Sequence, residues 1–254
     1  MAFASVVALL PLPLPAQTPP PGAGPDWIKP PSPSAPLTRE QIDATVAGYW
    51  AAADDPTVKK QAIDYLAPLI HSGEITADSP GAVALLVNLA TEGTDRQLRS
   101  GSGTLANDYP VIRIRAVQLL GSIGGSTARE AVFRVCASDP SPDVRTAAVS
   151  ALPALVESPT ANVMTLLRGV LQSNNTLWLS DRLALSTLDV VAMLYRAARQ
   201  PESPGIRDPM YVAPILQDPA LAQAIADVAM GSYNSAVRRR AVEVLDMIRD
   251  SRNR

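Results

Sequence analysis

Apolar residues recur along this chain at i, i+4 and i+8 around a small central alanine, following a basic residue at a fixed offset. The clearest copy runs through Val144-Arg145, Ala148, Leu152 and Leu155. The same frame returns at Val58-Lys59, Ala62, Leu66 and Leu69, at Ile112-Arg113, Ala116, Leu120 and Ile123, and at Val237-Arg238, Ala241, Leu245 and Ile248. An eroded copy sits at Ser180, Ala184 and Leu188. That spacing makes a helical apolar stripe, and the alanine lets a neighbouring helix come close. Self-similarity of this kind predicts stacked helix pairs, each unit burying its face on the next.

Helix starts are marked by a capping residue followed by proline at Asp55-Pro56, Ser79-Pro80, Ser141-Pro142, Ser158-Pro159 and Asp218-Pro219. Capping boxes are expected at Thr38-x-x-Gln41 and Thr127-x-x-Glu130. Joining each anchor helix to the one before it gives five antiparallel pairs: 38–53 with 56–71, 79–91 with 110–123, 126–138 with 142–156, 160–172 with 177–198, and 219–230 with 235–250. The 38–53 and 235–250 helices would cap the two ends. Ile112 and Val144 stand one repeat apart, as do Val144 and Ser180, but the steps from Val58 to Ile112 and from Ser180 to Val237 are too long. Two insertions account for the excess. One lies near 92–108 and, with Ser100-Gly101-Ser102-Gly103, reads as flexible; the other lies near 199–217 and carries Pro201, Pro204-Gly205 and Asp208-Pro209. Such inserts emerge from a stack as loops, often on its binding side.

The V-R-x-x-A frame resembles HEAT repeats, and within them the short bacterial HEAT-like repeats first named from phycobilisome lyases. The resemblance covers about 38–250. It implies an all-α, right-handed α-solenoid of five helix pairs, with the second helix of each pair lining a concave face. It further implies that an Asp in the turn before each second helix pairs with the frame's cation: Asp55 with Lys59, Asp108 with Arg113, and Asp139 or Asp143 with Arg145. The chain departs from the pattern at Ser180 and Asp181, which replace the valine and arginine, and before Arg238, where no acid closely precedes. The ladder is therefore expected to break toward the C-terminus. Such repeats serve as scaffolds, adaptors and occasionally enzymes, so the resemblance implies a fold more than an activity.

Composition narrows the picture. A formal net charge of -2 gives no global positive field to draw the chain to nucleic acid or anionic membrane. One cysteine and one histidine exclude an internal disulfide and leave no set for a structural zinc. Residues 1–16 hold a short apolar run, Val6-Val7-Ala8-Leu9-Leu10, ending in Pro-Leu-Pro-Leu-Pro-Ala16. It falls short of the roughly 20 residues that span a bilayer. It reads as a signal peptide cleaved after Ala16, although no Lys or Arg precedes Lys29. An exported protein, periplasmic or extracellular, is expected, with a cytoplasmic one as the alternative. Residues 17–37, rich in proline, read as a disordered tether, and 251–254 as a tail.

Little in the chain suggests catalysis. His71 reads as a helix C-terminal residue, Cys136 as a core filler, and Gly121, Gly124 and Gly125 as helix-terminating glycines without a phosphate-loop lysine. Trp27, Trp50 and Trp178 are isolated, Trp27 being the one expected to be exposed. Arg238-Arg239-Arg240, with Arg249, Arg252 and Arg254, reads as a solvated basic helix end. No catalytic, cofactor or metal residues are assigned. The informative pattern runs across the copies: two residues after each anchor alanine come Asp64, Gln118, Ser150, Ser186 and Glu243, polar every time. With Gln61, Arg115 and Arg240 one turn away, they form the expected partner-binding stripe. The expected function is non-catalytic protein binding by a scaffold or adaptor, with an enzyme-associated repeat protein, bilin-lyase-like or nucleic-acid-acting, as the alternative.

Overall fold

The computed structural model describes residues 39–95, 97–103, 105–156, 160–198 and 218–252. Thr38–Arg254 form one compact unit. Among the described residues it contains ten α-helices and no β-strand: α1 Arg39–Ala52, α2 Pro56–His71, α3 Pro80–Ala90, α4 Pro110–Ile123, α5 Gly125–Ser138, α6 Pro142–Leu155, α7 Ala161–Ser173, α8 Asp181–Ala198, α9 Pro219–Met230 and α10 Ser235–Arg252. Each odd-numbered helix packs on the even-numbered helix after it. The odd helices also pack on one another in chain order, and so do the even ones. Two parallel layers of consecutive helices are an all-α solenoid of five pairs.

The repeating frame explains why these pairs stack. Its anchor alanines, Ala62, Ala116, Ala148, Ala184 and Ala241, are all 0% exposed, the eroded fourth copy included. Leu66, Leu120, Leu152 and Leu188, one turn on, are equally buried. Full burial of each leucine contributes about 1.5–3 kcal/mol. Gly121 is buried within α4, where an added Cβ would lie 2.9 Å from the Ala151 Cβ of α6, so the glycine sets a close helix approach. Only Gly124 and Gly125, with φ of 75° and 84°, end one helix and start the next.

Several helix starts differ in detail from the expected ones. Asp55 and Asp218 cap as expected, accepting from the Thr57 and Ala220 N–H groups. Ser79 and Ser141 precede helices without capping them through the side chain. Thr160 caps α7 through the Val163 N–H, while Ser158-Pro159 lies outside the described residues. The Thr127–Glu130 box does not open a helix, because α5 already starts at Gly125. The helix expected over 177–198 begins at Asp181, after a π-helical turn, Asn174–Trp178, and Leu179 in the left-handed region at φ 46°.

The described residues of the first insert form a wall tied to its neighbours by hydrogen bonds. Its Arg99 and Leu105 form a bridge, Asn107 Oδ1 accepts the Leu98 N–H at 2.9 Å, and the Ala106 N–H donates to Leu98 O at 2.7 Å. The Tyr109 hydroxyl ties it to the Asp54 carbonyl at 2.7 Å. At its base, Asn107 is buried and the half-buried Tyr109 also donates to the Ala106 carbonyl at 3.0 Å. The second insert, Trp27, the tether and the apolar N-terminus lie outside the described residues, as does the Thr38 box. No helix among the described residues is long and apolar enough to cross a membrane.

Candidate functional site

Position two after the anchor alanine points away from the first-helix layer, so the polar stripe forms on the outer face of the even helices. Gln61, Asp64, Arg115, Gln118, Ser150 and Glu243 are exposed, and Ser186 and Arg240 half-buried. Contacts across successive helices join most of them. Asp64 on α2 bonds Lys60 and lies 3.7 Å from Arg115 on α4. The Lys60 hydrogen bond, with the charges of Lys60 and Arg115, holds Asp64 below the usual carboxylate range against a push upward from burial. Ser150 on α6 and Ser186 on α8 are hydrogen-bonded at 2.9 Å. Arg240 on α10 reaches Glu243 at 2.9 Å and Asp189 on α8 at 2.8 Å, and both hydrogen bonds raise its pKa.

A cavity of about 450 Å³ opens on this face between α4 and α6 and reaches Arg182 of α8. Gly121, Ala147 and Ala151 give it a small-residue floor, and Gln118, Ser122 and Ser150 give it polar groups. A smaller cavity of about 140 Å³ between α2 and α4 shares Gln118 and Ser122 with it and is bordered by His71 and Arg115. The two make one recess over the first three second helices. Its groups can hydrogen-bond a main chain laid across them.

Behind this face, the frame's cations make a buried ladder whose partners differ from those the resemblance implied. Lys59 donates to the Ala51 carbonyl at 2.7 Å and pairs with Glu92 at 2.8 Å; Asp55 is occupied as the α2 cap. Arg113, fully buried, pairs with Asp108 at 2.7 Å as expected, and also with Asp139 at 2.8 Å and with the Glu92 carbonyl at 3.2 Å. These hydrogen bonds keep its guanidinium charged despite burial. Arg145 takes neither Asp139 nor Asp143. It donates to the Cys136 carbonyl at 2.9 Å and to Ser173 Oγ at 2.6 Å, and burial pulls its pKa down. Asp143 lies instead 3.7 Å from Arg182 at the surface.

Each of these three cations reaches back to the end of its own first helix and forward to the turn of the next pair, whereas Arg238, the frame's fourth cation, is exposed. Of the acids that precede the cations in sequence only Asp108 is met, by Arg113; Asp55 caps α2 and Asp143 lies near Arg182 instead. At the fourth step the charge is gone, as the departure at Ser180-Asp181 implies. Asn174, fully buried, bonds the Ser180 backbone and the Tyr233 hydroxyl at 3.0 Å.

Cys136 is fully buried, and burial pushes its thiol well above the ordinary value. His71 is the exposed last residue of α2. Trp50 meets Tyr65 edge-on at 5.6 Å. Among the described residues, no group of three or more His, Cys, Asp or Glu is arranged to hold a metal. Residues 101–186 match a family model described as HEAT repeats, a stretch from the first insert through α4–α7 into α8. No curated protein matches the chain.

Proposed function

We propose that this HEAT-repeat protein is a non-catalytic scaffold that holds a protein partner on the outer face of its even-numbered helices, with an extended segment of the partner lying over α4, α6 and α8. HEAT repeats are generally protein-interaction scaffolds. The observation that supports this use of the face is the recess itself: a small-residue floor lined by Gln118, Ser122 and Ser150. A floor of glycine and alanine admits a backbone closely, and uncharged polar groups bond a main chain without demanding one sequence. Charge also lines the recess at Asp143–Arg182 and lies toward the ends of the stripe at Asp64–Arg115 and Arg240–Glu243, where it would fix the direction in which a partner lies.

The test is a binding titration with a partner recovered by crosslinking. Gln118→Ala with Ser150→Trp and Ser186→Trp should weaken binding at least tenfold with helical content unchanged, whereas Arg129→Ala with Asn162→Ala on the odd helices should leave it alone. Equal losses from both sets would move the recognition surface elsewhere. The proposal carries with it export and cleavage after Ala16, checked by the mass of the native N-terminus; an intact 1–16 in the cytosolic fraction would refute that part.

A further inference from the structure

Away from the recess, a larger cavity of about 660 Å³ lies between α1, α3 and the first insert. Its walls are Ala51, Leu85, Leu89 and Leu98, and its polar groups include Asp54, Glu92 and Asp95. The only cation lining it among the described residues is Lys59, which is committed to Glu92 and the Ala51 carbonyl. Asp95 meets Arg134 at 3.3 Å with both side chains about half exposed, and Asp54 makes no ion pair among the described residues. Among the described residues the lining keeps an excess of negative charge beside an aliphatic wall. Tyr109, next to it, registers the same field: burial first, then Glu92, Asp54 and Asp55 push its phenol up.

The cavity is held open by its frame. Gly93, at φ 76°, brings its backbone so close to the Asn107 carbonyl that a Cβ there would lie 2.3 Å from the oxygen. The bonds from Leu98 to Asn107 and Ala106 fix the wall, and Tyr109 ties the insert to the end of α1. A wall ordered in advance loses little freedom when a ligand enters.

We propose that this cavity binds an aliphatic cation, an ammonium or guanidinium group on a methylene stem, with the stem along Leu85, Leu89 and Leu98 and the charge toward Asp54 and Asp95. Anions are repelled there, and a neutral chain gains only the wall. A lysine-like side chain bound this way would leave the Lys59–Glu92 pair intact. Such a group can come as a free amine or as a basic side chain of a protein. This site is separate from the recess and does not depend on it.

The experiment is an amide-shift titration of the full chain with pentylamine, pentan-1-ol, and the capped peptides Ac-Ala-Lys-Ala-NH2 and Ac-Ala-norleucine-Ala-NH2. Pentylamine or the lysine peptide should shift Gly48 and Gly93 saturably with a Kd on the order of millimolar, as expected for so few atoms. Pentanol and the norleucine peptide should bind at least fivefold more weakly. Binding of the amine alone assigns a small-molecule ligand, and binding of the peptide assigns a protein side chain. Asp54→Asn should weaken binding about fivefold, the upper range for an exposed pair. Leu98→Trp, which fills the cavity from an exposed position, should abolish it, and Asp64→Asn in the recess should do nothing. No saturable shift, neutral probes binding as tightly as charged ones, or indifference to both Asp54→Asn and Leu98→Trp would each overturn the assignment.

Discussion

Removing Asp139 tests the ladder where it is most buried. The Arg113 guanidinium is fully buried and the Asp139 side chain 1% exposed, and they share two hydrogen bonds of 2.8 and 3.2 Å. Asp139→Ala takes away both, together with the acceptor of the Ser141 N–H. Breaking a buried pair by deleting one partner costs about 3–5 kcal/mol, because the other charge stays buried. Arg113 keeps Asp108 and the Glu92 carbonyl, so the lower end, about 3 kcal/mol, is expected. That is a large share of the roughly 5–15 kcal/mol that holds a domain together. Asp143→Ala, which removes a pair 3.7 Å apart with both side chains well exposed, should cost under about 0.5 kcal/mol. Urea unfolding followed by circular dichroism at the helical band measures both, and hydrogen exchange in α4 and α6 shows where the loss falls. If Asp139→Ala costs no more than Asp143→Ala, the rung is not what holds the second pair to the third.

At the next rung, Arg145 has a hydroxyl where Arg113 has a carboxylate. Ser173→Asp should stabilise the chain by about 1 kcal/mol in the same urea assay, the gain of a charged over a neutral hydrogen bond, and a loss of stability would show that the serine is needed for packing. Cys136 should resist thiol reagents at pH 8 in the folded protein, because its raised pKa keeps it protonated and its burial keeps it covered, and its modification should track unfolding. Rapid labelling of the native chain would contradict that placement.

The helix pairs were legible because a 3.6-residue period needs only local information. Even the eroded copy gave itself away through Ala184 and Leu188, which occupy the same buried register as the intact ones. Of the ladder's partners, Asp108 beside Arg113 was legible and the others were not. Asp55 and Asp143 sit at plausible short distances from Lys59 and Arg145, while the acids that pair, Glu92 with Lys59 and Asp139 with Arg113, are brought in by the next pair and stand at no fixed spacing. The polar stripe could be read from register alone. The cavity beside α1 and α3 could not, since its wall is an insert whose Ser-Gly tip resembles a loose loop and whose anchor, Tyr109 on Asp54, spans two repeats.

The ladder also bears on what order the units can take. Lys59 needs an acid in the unit after it, Arg113 needs one too, Arg145 donates to a hydroxyl, and Asn174 meets a tyrosine. Each joint is thus keyed, with a donor shaped for one successor. Exchanging the third and fourth units would set Arg113 against Ser173 and leave Asp139 beside Asn174, so that the buried Asp139 would lose its cation. The five pairs are not interchangeable beads, and growth of such a chain by duplication would have to alter donor and acceptor together at every new seam.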